Sequence, residues 1–399
     1  MKKILFFCDQ DYSIHFPSHF REVYSILLSS ENLKTVVYTP STKISSLSWL
    51  SDNFCIFPKS TSKIISPLWP LISSLYLFRI LFVQGSSFDL VIVHDNPLSI
   101  IVSYFFSLFN GFKLVFRISN LKGLMSKSTS FVSLINKNVY VLLTCLACKL
   151  SSAVVSMSVA MESYLRTELN ITNSLIYTIP SCTKIWQVGD ADSSDLFTID
   201  SIYNITNHSP RDVKLVYLGT LNPNRELTFL LDLVEELLSL DLIPFLGVFG
   251  VSRLPSHKDQ FLNAVKSRQL DSYIYLFPPV LEQSLPNALQ YFDIGISPYD
   301  PNTLLSTNSP LKTLDYIVAG IPVLSTKILD HRETLLESRG GICEEYDSSS
   351  FAISIHSFVR NPHIYDIDIL YAQSWLRKNR SLDSCTLMWK NLVRDMLYV

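Results

Sequence analysis

A lysine and an aspartate lie one helical turn apart in the stretch Thr307–Thr326, TNSPLKTLDYIVAGIPVLST. Lys312 offers a positive charge to a phosphate, and the carboxylate of Asp315 can accept two hydrogen bonds from a ribose diol. If a helix begins beside Lys312, its free N–H groups and its dipole also favour an anion. Together these groups predict a nucleoside-diphosphate site. The alternative is an ordinary surface helix on which the two side chains form a weak i,i+3 pair.

The neighbouring residues predict the helix that must hold these two groups. Ser309 is expected to cap its N-terminus, and Pro310 suits the first helical position, where no N–H is needed. Gly320 supplies a left-handed C-terminal stop, and Pro322 prevents continuation into the strand expected from Val323. The apolar positions that recur at helical spacing, and that would face the core, are Leu311, Leu314, Ile317 and Val318.

This segment resembles the donor-binding segment of retaining, two-domain (GT-B fold) nucleotide-sugar glycosyltransferases, which include glycogen synthases and many bacterial polysaccharide enzymes. In that family two glutamates, separated by seven residues, precede an Ala/Cys-Gly-x-Pro-Val turn, and the second acid holds the ribose. Asp315 takes the second position, and Ser309-Pro310-Leu311-Lys312 matches a family variant with Ser-Pro-x-Lys before the acid. Thr307 stands where the first glutamate would be, so the acidic pair is incomplete.

Length and composition indicate a globular chain of two domains. The sequence has 399 residues, of which 48% are hydrophobic, and this is enough for two full cores. The seven cysteines are scattered and predict no disulfide framework, and Cys145 with Cys148 are expected in a buried helix because a second zinc-ligand pair is missing. No Asp-x-Asp triplet follows a predicted strand of the second domain, so the sequence requires no metal and no cofactor.

The charge is divided unevenly along the chain. Residues 1–184 carry 16 Lys and Arg against 9 Asp and Glu, whereas residues 185–399 carry 17 against 26, so the net charges are +7 and −9. The basic, apolar first half favours reversible, salt-sensitive contact with an anionic membrane surface, with chance asymmetry as the alternative. The basic residues form no run and no RNA-binding motif, so nucleic acid is not an expected partner.

No segment predicts export or a membrane span. The start, MKKILFFCDQD, is expected to be a strand, because acidic residues follow without a small-residue cleavage site. Pro67–Val83 contains Arg79 and two prolines, and Pro97–Phe112 is too short to span a bilayer as a helix. We therefore expect a cytoplasmic protein, with peripheral attachment to the cytoplasmic face of the inner membrane as a further expectation.

Buried strands alternate with helices, which predicts an α/β fold of two Rossmann-like doubly wound parallel sheets facing across a cleft. The expected parts are an acceptor-binding domain at 1–184, a polar linker at 185–212 and a donor-binding domain at 213–370. A helical tail at 371–399 is expected to cross back onto the first domain, by the resemblance, or to pack locally. The strands are expected at 3–8, 35–38, 88–93, 114–116, 152–158 and 175–179, and near 213–219, 244–249, 273–277, 293–297, 322–325 and 341–343.

The first turn of the second domain, Gly219-Thr220-Leu221-Asn222-Pro223-Asn224-Arg225, offers a further anion contact. Arginine at a helix start is unfavourable unless an anion is bound there, so Arg225 is expected on the donor diphosphate, where the family also carries a basic residue. Thr220 stands where another arginine is common in the family. Gly250 would allow a ligand to approach closely or would form a plain turn. By the resemblance, backbone groups near Val280 hold the nucleobase.

Ligands of open α/β sheets bind beyond the carboxyl ends of the strands, and the first domain has acceptor-cleft candidates there. Ser18 and His19 begin the first helix, and a similar Ser-His pair faces the cleft in the family. His94 and then Asp95 follow one strand, and Arg117 follows the next. The alternatives are a structural histidine and a helix cap at Asp95. The first turn lacks the glycine-rich dinucleotide fingerprint, so an NAD or FAD enzyme is not expected.

The resemblance implies transfer of a sugar from a nucleotide-diphosphate donor to a saccharide or lipid-linked acceptor, with retention, in cell-surface polysaccharide biosynthesis. Arg225 and Lys312 would stabilise the departing diphosphate. One alternative is a nucleotide-sugar epimerase of the same fold, and another is a two-lobed sugar-nucleotide-binding protein without catalysis. Donor turnover by the purified protein separates the three.

Overall fold

The computed structural model describes residues 2–9, 25–26, 33–41, 54–58, 68–121, 124, 131–172, 174–187, 189–207, 211–221, 227–251 and 255–398. Ser18, His19 and Arg225 lie outside the described residues. The chain divides into two compact units. The first comprises Met1–Ser181, Thr307–Ser309 and Leu382–Val399, and the second comprises Cys182–Ser306 and Pro310–Ser381.

Each unit contains one parallel sheet. The described strands of the first unit are β1 Lys3–Cys8, β2 Lys34–Ser41, β3 Phe54–Pro58, β4 Leu90–His94, β5 Lys113–Ile118, β6 Ala153–Ser156 and β7 Ile176–Thr178, in the order β3-β2-β1-β4-β5-β6-β7. Those of the second are β8 Val213–Thr220, β9 Pro244–Val251, β10 Ile274–Phe277, β11 Ile294–Ser297, β12 Val323–Thr326 and β13 Gly341–Glu344, in the order β10-β9-β8-β11-β12-β13. Because both orders reverse beside the first strand, both sheets are doubly wound, as predicted.

Helices connect the strands and cover both faces of each sheet. The α-helices with described bounds are α1 Trp69–Gln84, α2 Pro97–Asn110, α3 Phe131–Leu150, α4 Val159–Thr167, α5 Leu196–Asn207, α6 Leu227–Ser239, α7 Pro255–Ser267, α8 Leu285–Leu289, α9 Leu311–Val318, α10 Leu329–Ser338, α11 Ser348–Arg360, α12 Ile369–Asn379 and α13 Leu382–Tyr398. Among the described residues, no helix is both long enough and apolar enough to cross a membrane.

In the first unit, alternate strand residues serve two separate cores. Leu5 of β1 and Val91 of β4 face helices α1, α2 and α3, whereas Ile4 and Leu90 face helix α13. Both faces of a parallel sheet must be covered, and this explains why the strands are apolar along their whole length. The buried surface of α13 is supplied by Trp389, Leu392, Val393 and Met396.

The second unit repeats this arrangement. Leu215 and Tyr217 of β8 lie in the core under helices α6, α7 and α11, while Val216 and Leu218 lie on the opposite face under α5, α8, α9 and α12. Residues 185–212, predicted as a linker, group with this unit and contain α5, whose Ile199 and Ile202 are buried.

The sequence predicted β1 at its observed bounds and the strands of the second sheet within two residues of theirs. It missed β3, a five-residue strand that ends on a proline. The residues predicted as a helical tail, 371–399, contain two helices, α12 and α13, with a break between them. The chain leaves the helix at Arg380, whose carbonyl accepts from Thr183 N–H at 3.0 Å, and Ser381 forms an isolated parallel bridge with Thr183 before α13 begins.

Candidate active site

The carboxyl ends of the second sheet's strands share one edge, because all its pairings are parallel. Gly219 and Thr220 end β8 there, and they pair in register with Gly250 and Val251 of β9. Helix α9 follows β11 from the same edge. The structure therefore brings Gly219, Thr220, Gly250 and Lys312 to one end of the sheet.

Helix α9 begins one residue later than the sequence predicts. Pro310 occupies the cap position with extended backbone angles, φ −72° and ψ 117°, and no side chain caps the first turn. The prediction that Ser309 caps this helix is wrong, because proline itself takes the half-helical position. Ser309 is buried and groups with the first unit, where the Ser158 hydroxyl donates to the carbonyl of Thr307. A first turn without a side-chain cap retains its attraction for an anion.

Lys312 lies in the first turn of α9 and is only 8% exposed. Its Nζ lies 4.2 Å from the ring centroid of Tyr217 and 4.7 Å from that of Tyr299. The negative faces of the two rings attract the ammonium group and offset part of the cost of burying it. Gly219 makes room for this arrangement, since a Cβ there would lie 2.5 Å from the Tyr217 hydroxyl.

Tyr316 fastens α9 to the sheet. Its ring is fully buried, and its hydroxyl accepts from Leu218 N–H at 2.8 Å and donates to the Ile296 carbonyl at 3.1 Å. A Cβ at Gly295 would lie 2.3 Å from Cγ of Tyr316, so glycine is required beneath the ring. Burial raises the pKa of Tyr316 well above its usual value, and the hydroxyl stays protonated. These two hydrogen bonds fix the position of α9, and therefore of Lys312, relative to β8 and β11.

Tyr299 is held by an exchange of hydrogen bonds with β12. Its N–H donates to Thr326 Oγ1 at 2.9 Å, and Thr326 Oγ1 donates to the Tyr299 carbonyl at 2.9 Å. The ring of His331 packs against the Tyr299 ring edge to face, with centroids 5.6 Å apart. These contacts orient one of the two rings that face Lys312.

His331 of α10 is buried and neutral. Burial lowers its pKa to about 3, and the positive charge of Lys312 acts in the same direction. Its Nδ1 lies 3.0 Å from the Thr326 carbonyl, which can only accept, so Nδ1 carries the proton. Nε2 then accepts from the Ser297 hydroxyl at 3.1 Å. This histidine organises the residues beneath the site.

Asp315 lies one turn after Lys312 and is half-buried. Its Oδ1 accepts from the Thr183 hydroxyl at 3.1 Å. The backbone of Thr183 is fixed in turn by the Arg380 carbonyl, and the Arg380 guanidinium binds both oxygens of Asp330 at 3.1 and 3.2 Å. The carboxylate expected to hold a ribose is therefore positioned by residues far away in the sequence.

Gly250 and Val280 also lie at this end of the sheet. A different local contact holds each of them there. Gly250 is inside β9 rather than in a turn, and a Cβ there would lie 2.4 Å from Cγ of Leu221, so packing alone requires the glycine. Val280 follows β10 and is half-buried. The next residue, Leu281, donates its N–H to Asp195 Oδ2 at 2.9 Å, and this contact fixes the loop.

The first unit brings His94 and Arg117 together, as adjacent partners at the ends of β4 and β5. Both are buried, at 1% and 3% exposure, and His94 Nδ1 lies 3.3 Å from the sulfur of Cys8. Asp95 does not cap α2. Asn96 does so through Leu98 and Ser99 N–H, while Asp95 adopts a positive φ of 57°.

The Asp95 carboxylate instead ties two strand ends together. It accepts from Ser119 N–H at 2.6 Å, from the Ser119 hydroxyl at 2.7 Å and from Asn120 N–H at 3.2 Å. Its own N–H donates to the Arg117 carbonyl at 2.8 Å. These bonds hold the backbone beyond β4 and β5 in one arrangement. The backbone next to His94 and Arg117, the described acceptor candidates, is therefore fixed.

Sequence reasoning missed Tyr217, Tyr299, His331 and Thr183. Tyr299 could have been found, because it directly follows a buried strand at the ligand-binding edge. Tyr217 lies within an apolar strand and is indistinguishable from core, and no local signal marks His331 or Thr183. Within the part of the chain that the structure describes, no group of three or more His, Cys, Asp and Glu residues is placed to hold a metal ion.

Comparison with known proteins agrees with the two-sheet fold. Residues 212–361 match the family described as Glycosyl transferases group 1, and no curated protein matches the chain. Sucrose-phosphate synthase from Thermosynechococcus elongatus is similar in structure, with 13% identity over 99% of both chains and a TM-score of 0.76. Anabaena HepE in complex with UDP and glucose has 14% identity over 99% of this chain and 100% of its own, with a TM-score of 0.70. The lipopolysaccharide outer core galactosyltransferase WaaB, in its apo form, has 12% identity over 98% and 99%, with a TM-score of 0.63. The two-domain fold predicted from the sequence is confirmed.

Proposed function

We propose that this chain, a glycosyltransferase whose residues 212–361 belong to the group 1 family, moves a sugar from a nucleoside-diphosphate sugar to a saccharide or lipid-linked saccharide. The observation that carries the proposal is Lys312 itself. It lies in the first turn of α9, at the strand edge, between the rings of Tyr217 and Tyr299. A buried cation beside an uncapped helix start is suited to a diphosphate.

In the proposed reaction the bond between the anomeric carbon and the diphosphate oxygen breaks. The acceptor oxygen bonds to that carbon, and its hydroxyl proton passes to the departing diphosphate oxygen. Lys312 and the N–H groups at the start of α9 stabilise the negative charge that grows on the diphosphate. Arg225, which follows β8 in the sequence, is proposed for the same role from its sequence position. Retention of the anomeric configuration is proposed from the resemblance to retaining glycosyltransferases.

The nucleoside and the acceptor are assigned to separate units. The Asp315 carboxylate accepts hydrogen bonds from the ribose hydroxyls, while Gly219, Thr220, Gly250 and Val280 line the rest of the donor site in the second unit. Ser309 is proposed for the donor site from its sequence position alone, because it groups with the first unit. The acceptor candidates are Ser18, His19, His94 and Arg117. HepE, which has a similar fold, is seen with UDP and glucose, so UDP-sugars are the first donors to test. Cell-surface polysaccharide synthesis is the proposed role.

The test combines binding with turnover. A thermal-shift screen of nucleoside-diphosphate sugars should raise the melting temperature with one nucleotide, because a ligand that binds only the folded protein stabilises it. Release of that nucleoside diphosphate should then require an added saccharide acceptor, and NMR of the product gives the anomeric configuration. A protein that binds no nucleotide sugar and releases no diphosphate with any acceptor contradicts the proposal.

A further inference from the structure

We propose that the first unit docks on an anionic lipid bilayer through the outer faces of helices α1, α2 and α3, which we call the apolar face. The proposal goes beyond sugar transfer and does not depend on it, since it concerns a surface away from the strand edge. Its test measures lipid binding alone.

The apolar face exposes large hydrophobic side chains. The most exposed are Phe109, Phe82, Val83 and Leu142, at 86%, 74%, 69% and 68%. The same face also includes Leu71, Leu75, Phe78, Phe105, Leu108, Leu134, Ile135, Val139 and Leu146, each more than 40% exposed. Soluble proteins rarely expose apolar patches larger than a few hundred Å² unless the patch binds something.

The three helices are neighbours, since α2 packs against both α1 and α3, and exposed rings of α1 adjoin a ring of α2. The Phe78 ring on α1 lies 6.2 Å from the Phe82 ring and 5.2 Å from the Phe106 ring on α2. Core packing does not account for the exposed residues, because the same helices already bury Leu77, Leu81, Ile100, Ala147 and Cys148 against the sheet. The helices are therefore apolar on both sides, unlike ordinary surface helices.

The charges on these helices identify a membrane as the partner. The sequences of α1, α2 and α3 span 16, 14 and 20 residues and contain no Asp or Glu. Their charged residues are Arg79, Lys137 and Lys149. An apolar surface accompanied by cations alone is complementary to acyl chains beneath anionic headgroups. A protein partner would instead meet a mixed polar rim.

The composition of the face also sets the kind of attachment. Apolar side chains far outnumber the cations, so we expect insertion into the headgroup boundary to contribute more than charge attraction. Binding should thus survive raised salt, unlike the salt-sensitive attachment that the net charge of the first half predicts. The proposed contact is interfacial, at the headgroup boundary.

Vesicle flotation with a matched pair of variants tests the proposal. The face variant is Phe82→Ser, Phe109→Ser, Leu142→Ser. The control is Phe197→Ser, Leu370→Ser, Leu387→Ser, which removes three residues exposed at 86%, 80% and 60% on other helices. On phosphatidylcholine vesicles containing phosphatidylglycerol, we expect the face variant to lower the partition coefficient about tenfold or more, and the control about twofold or less.

A single-residue probe covers the case in which the face variant does not fold. In a Leu142→Trp protein, brominated lipids should quench the additional tryptophan fluorescence, whereas in Phe197→Trp they should not. Absence of wild-type flotation, equal flotation of the face and control variants, or unquenched Leu142→Trp fluorescence would each overturn the proposal. Sedimentation that shows a wild-type dimer, a monomeric face variant and no lipid binding would assign the face to a second copy instead.

Discussion

Lys312 shows at the scale of single residues how the site combines burial with charge. An ammonium group at 8% exposure is costly unless other groups compensate, and the rings of Tyr217 and Tyr299 do so at 4.2 and 4.7 Å. A bound diphosphate would add an ionic contact to this ammonium group. Because the side chain is already held in place, the proposed reaction would need little reorganisation of it.

Replacement of this charge should therefore affect turnover more than folding. We expect Lys312→Met to lower kcat by about 10²-fold or more, the scale of removing one preorganised charge-stabilising group. The control is Lys266→Met, at an exposed position in the last turn of α7. Steady-state kinetics measure both, and equal kcat for the two variants would remove Lys312 from the proposed mechanism.

The Asp315 carboxylate should act on binding rather than on turnover. We expect Asp315→Ala to weaken nucleoside-diphosphate affinity by about 1–3 kcal/mol, the range for a lost charged acceptor. Calorimetric titration of the nucleotide measures this loss. Asp259→Asn, at an exposed position on α7, should leave the affinity unchanged. Equal affinities for wild type and Asp315→Ala would refute the ribose assignment.

At the scale of elements, α10 supports the site through His331. This histidine links β12, through the Thr326 carbonyl, to β11, through the Ser297 hydroxyl, and packs on Tyr299. The folded second unit requires the neutral form of His331, because a protonated Nε2 could not accept from the Ser297 hydroxyl. Protonation of His331 at low pH should therefore destabilise the second unit.

The sign follows from the lowered pKa of His331. Because the folded value of about 3 is below the unfolded value of about 6.5, the unfolded state binds the proton first and stability falls as the pH drops below 6.5. Between pH 7.5 and pH 5.0 this group should remove about 2 kcal/mol from the free energy of unfolding. Urea titrations at both pH values measure the loss of unfolding free energy, which should be about 2 kcal/mol larger in wild type than in His331→Gln. Equal losses in the two proteins would contradict the assignment.

At the scale of the whole molecule, the chain end is part of the first unit's core. Helix α13 places Trp389 at 1% exposure beside Ile4 and Phe6 of β1, although it lies more than 380 residues from them in sequence. Helix α12, which precedes it, groups with the second unit. The stability of the first unit should therefore depend on the last residues of the chain.

Trp389→Ala should destabilise the first unit by about 3–5 kcal/mol, the range for large-to-small substitution of a buried aromatic residue. Leu387→Ala on the same helix, where Leu387 is 60% exposed, should change stability by about 0.5 kcal/mol or less. Hydrogen exchange separates the units. Faster exchange is expected in the β1 peptide and not in the β8 peptide, and equal protection of β1 in both variants would exclude this role for α13.

The two doubly wound sheets could be predicted from the sequence, because their buried parallel strands are continuous apolar runs separated by helical periods. Lys312 and Asp315 could be chosen as candidates in the same way, since a proline, a glycine and a second proline mark the local loop-helix-strand path around them. These signals are local, because the backbone preferences of proline and glycine can be recognised within one short segment of sequence.

The side chains that surround those two residues could not be predicted from the sequence, because they are brought there by the packing of distant elements. Tyr217 and Tyr299 come from different strands, and Thr183 comes from a segment 132 residues before Asp315. Local spacing carries no record of such partners, because contacts between strands depend on sheet order and register. The end of α12 at Arg380 and the exposure of the apolar face also depend on tertiary contacts. One side of a helix is buried only where another element packs against it.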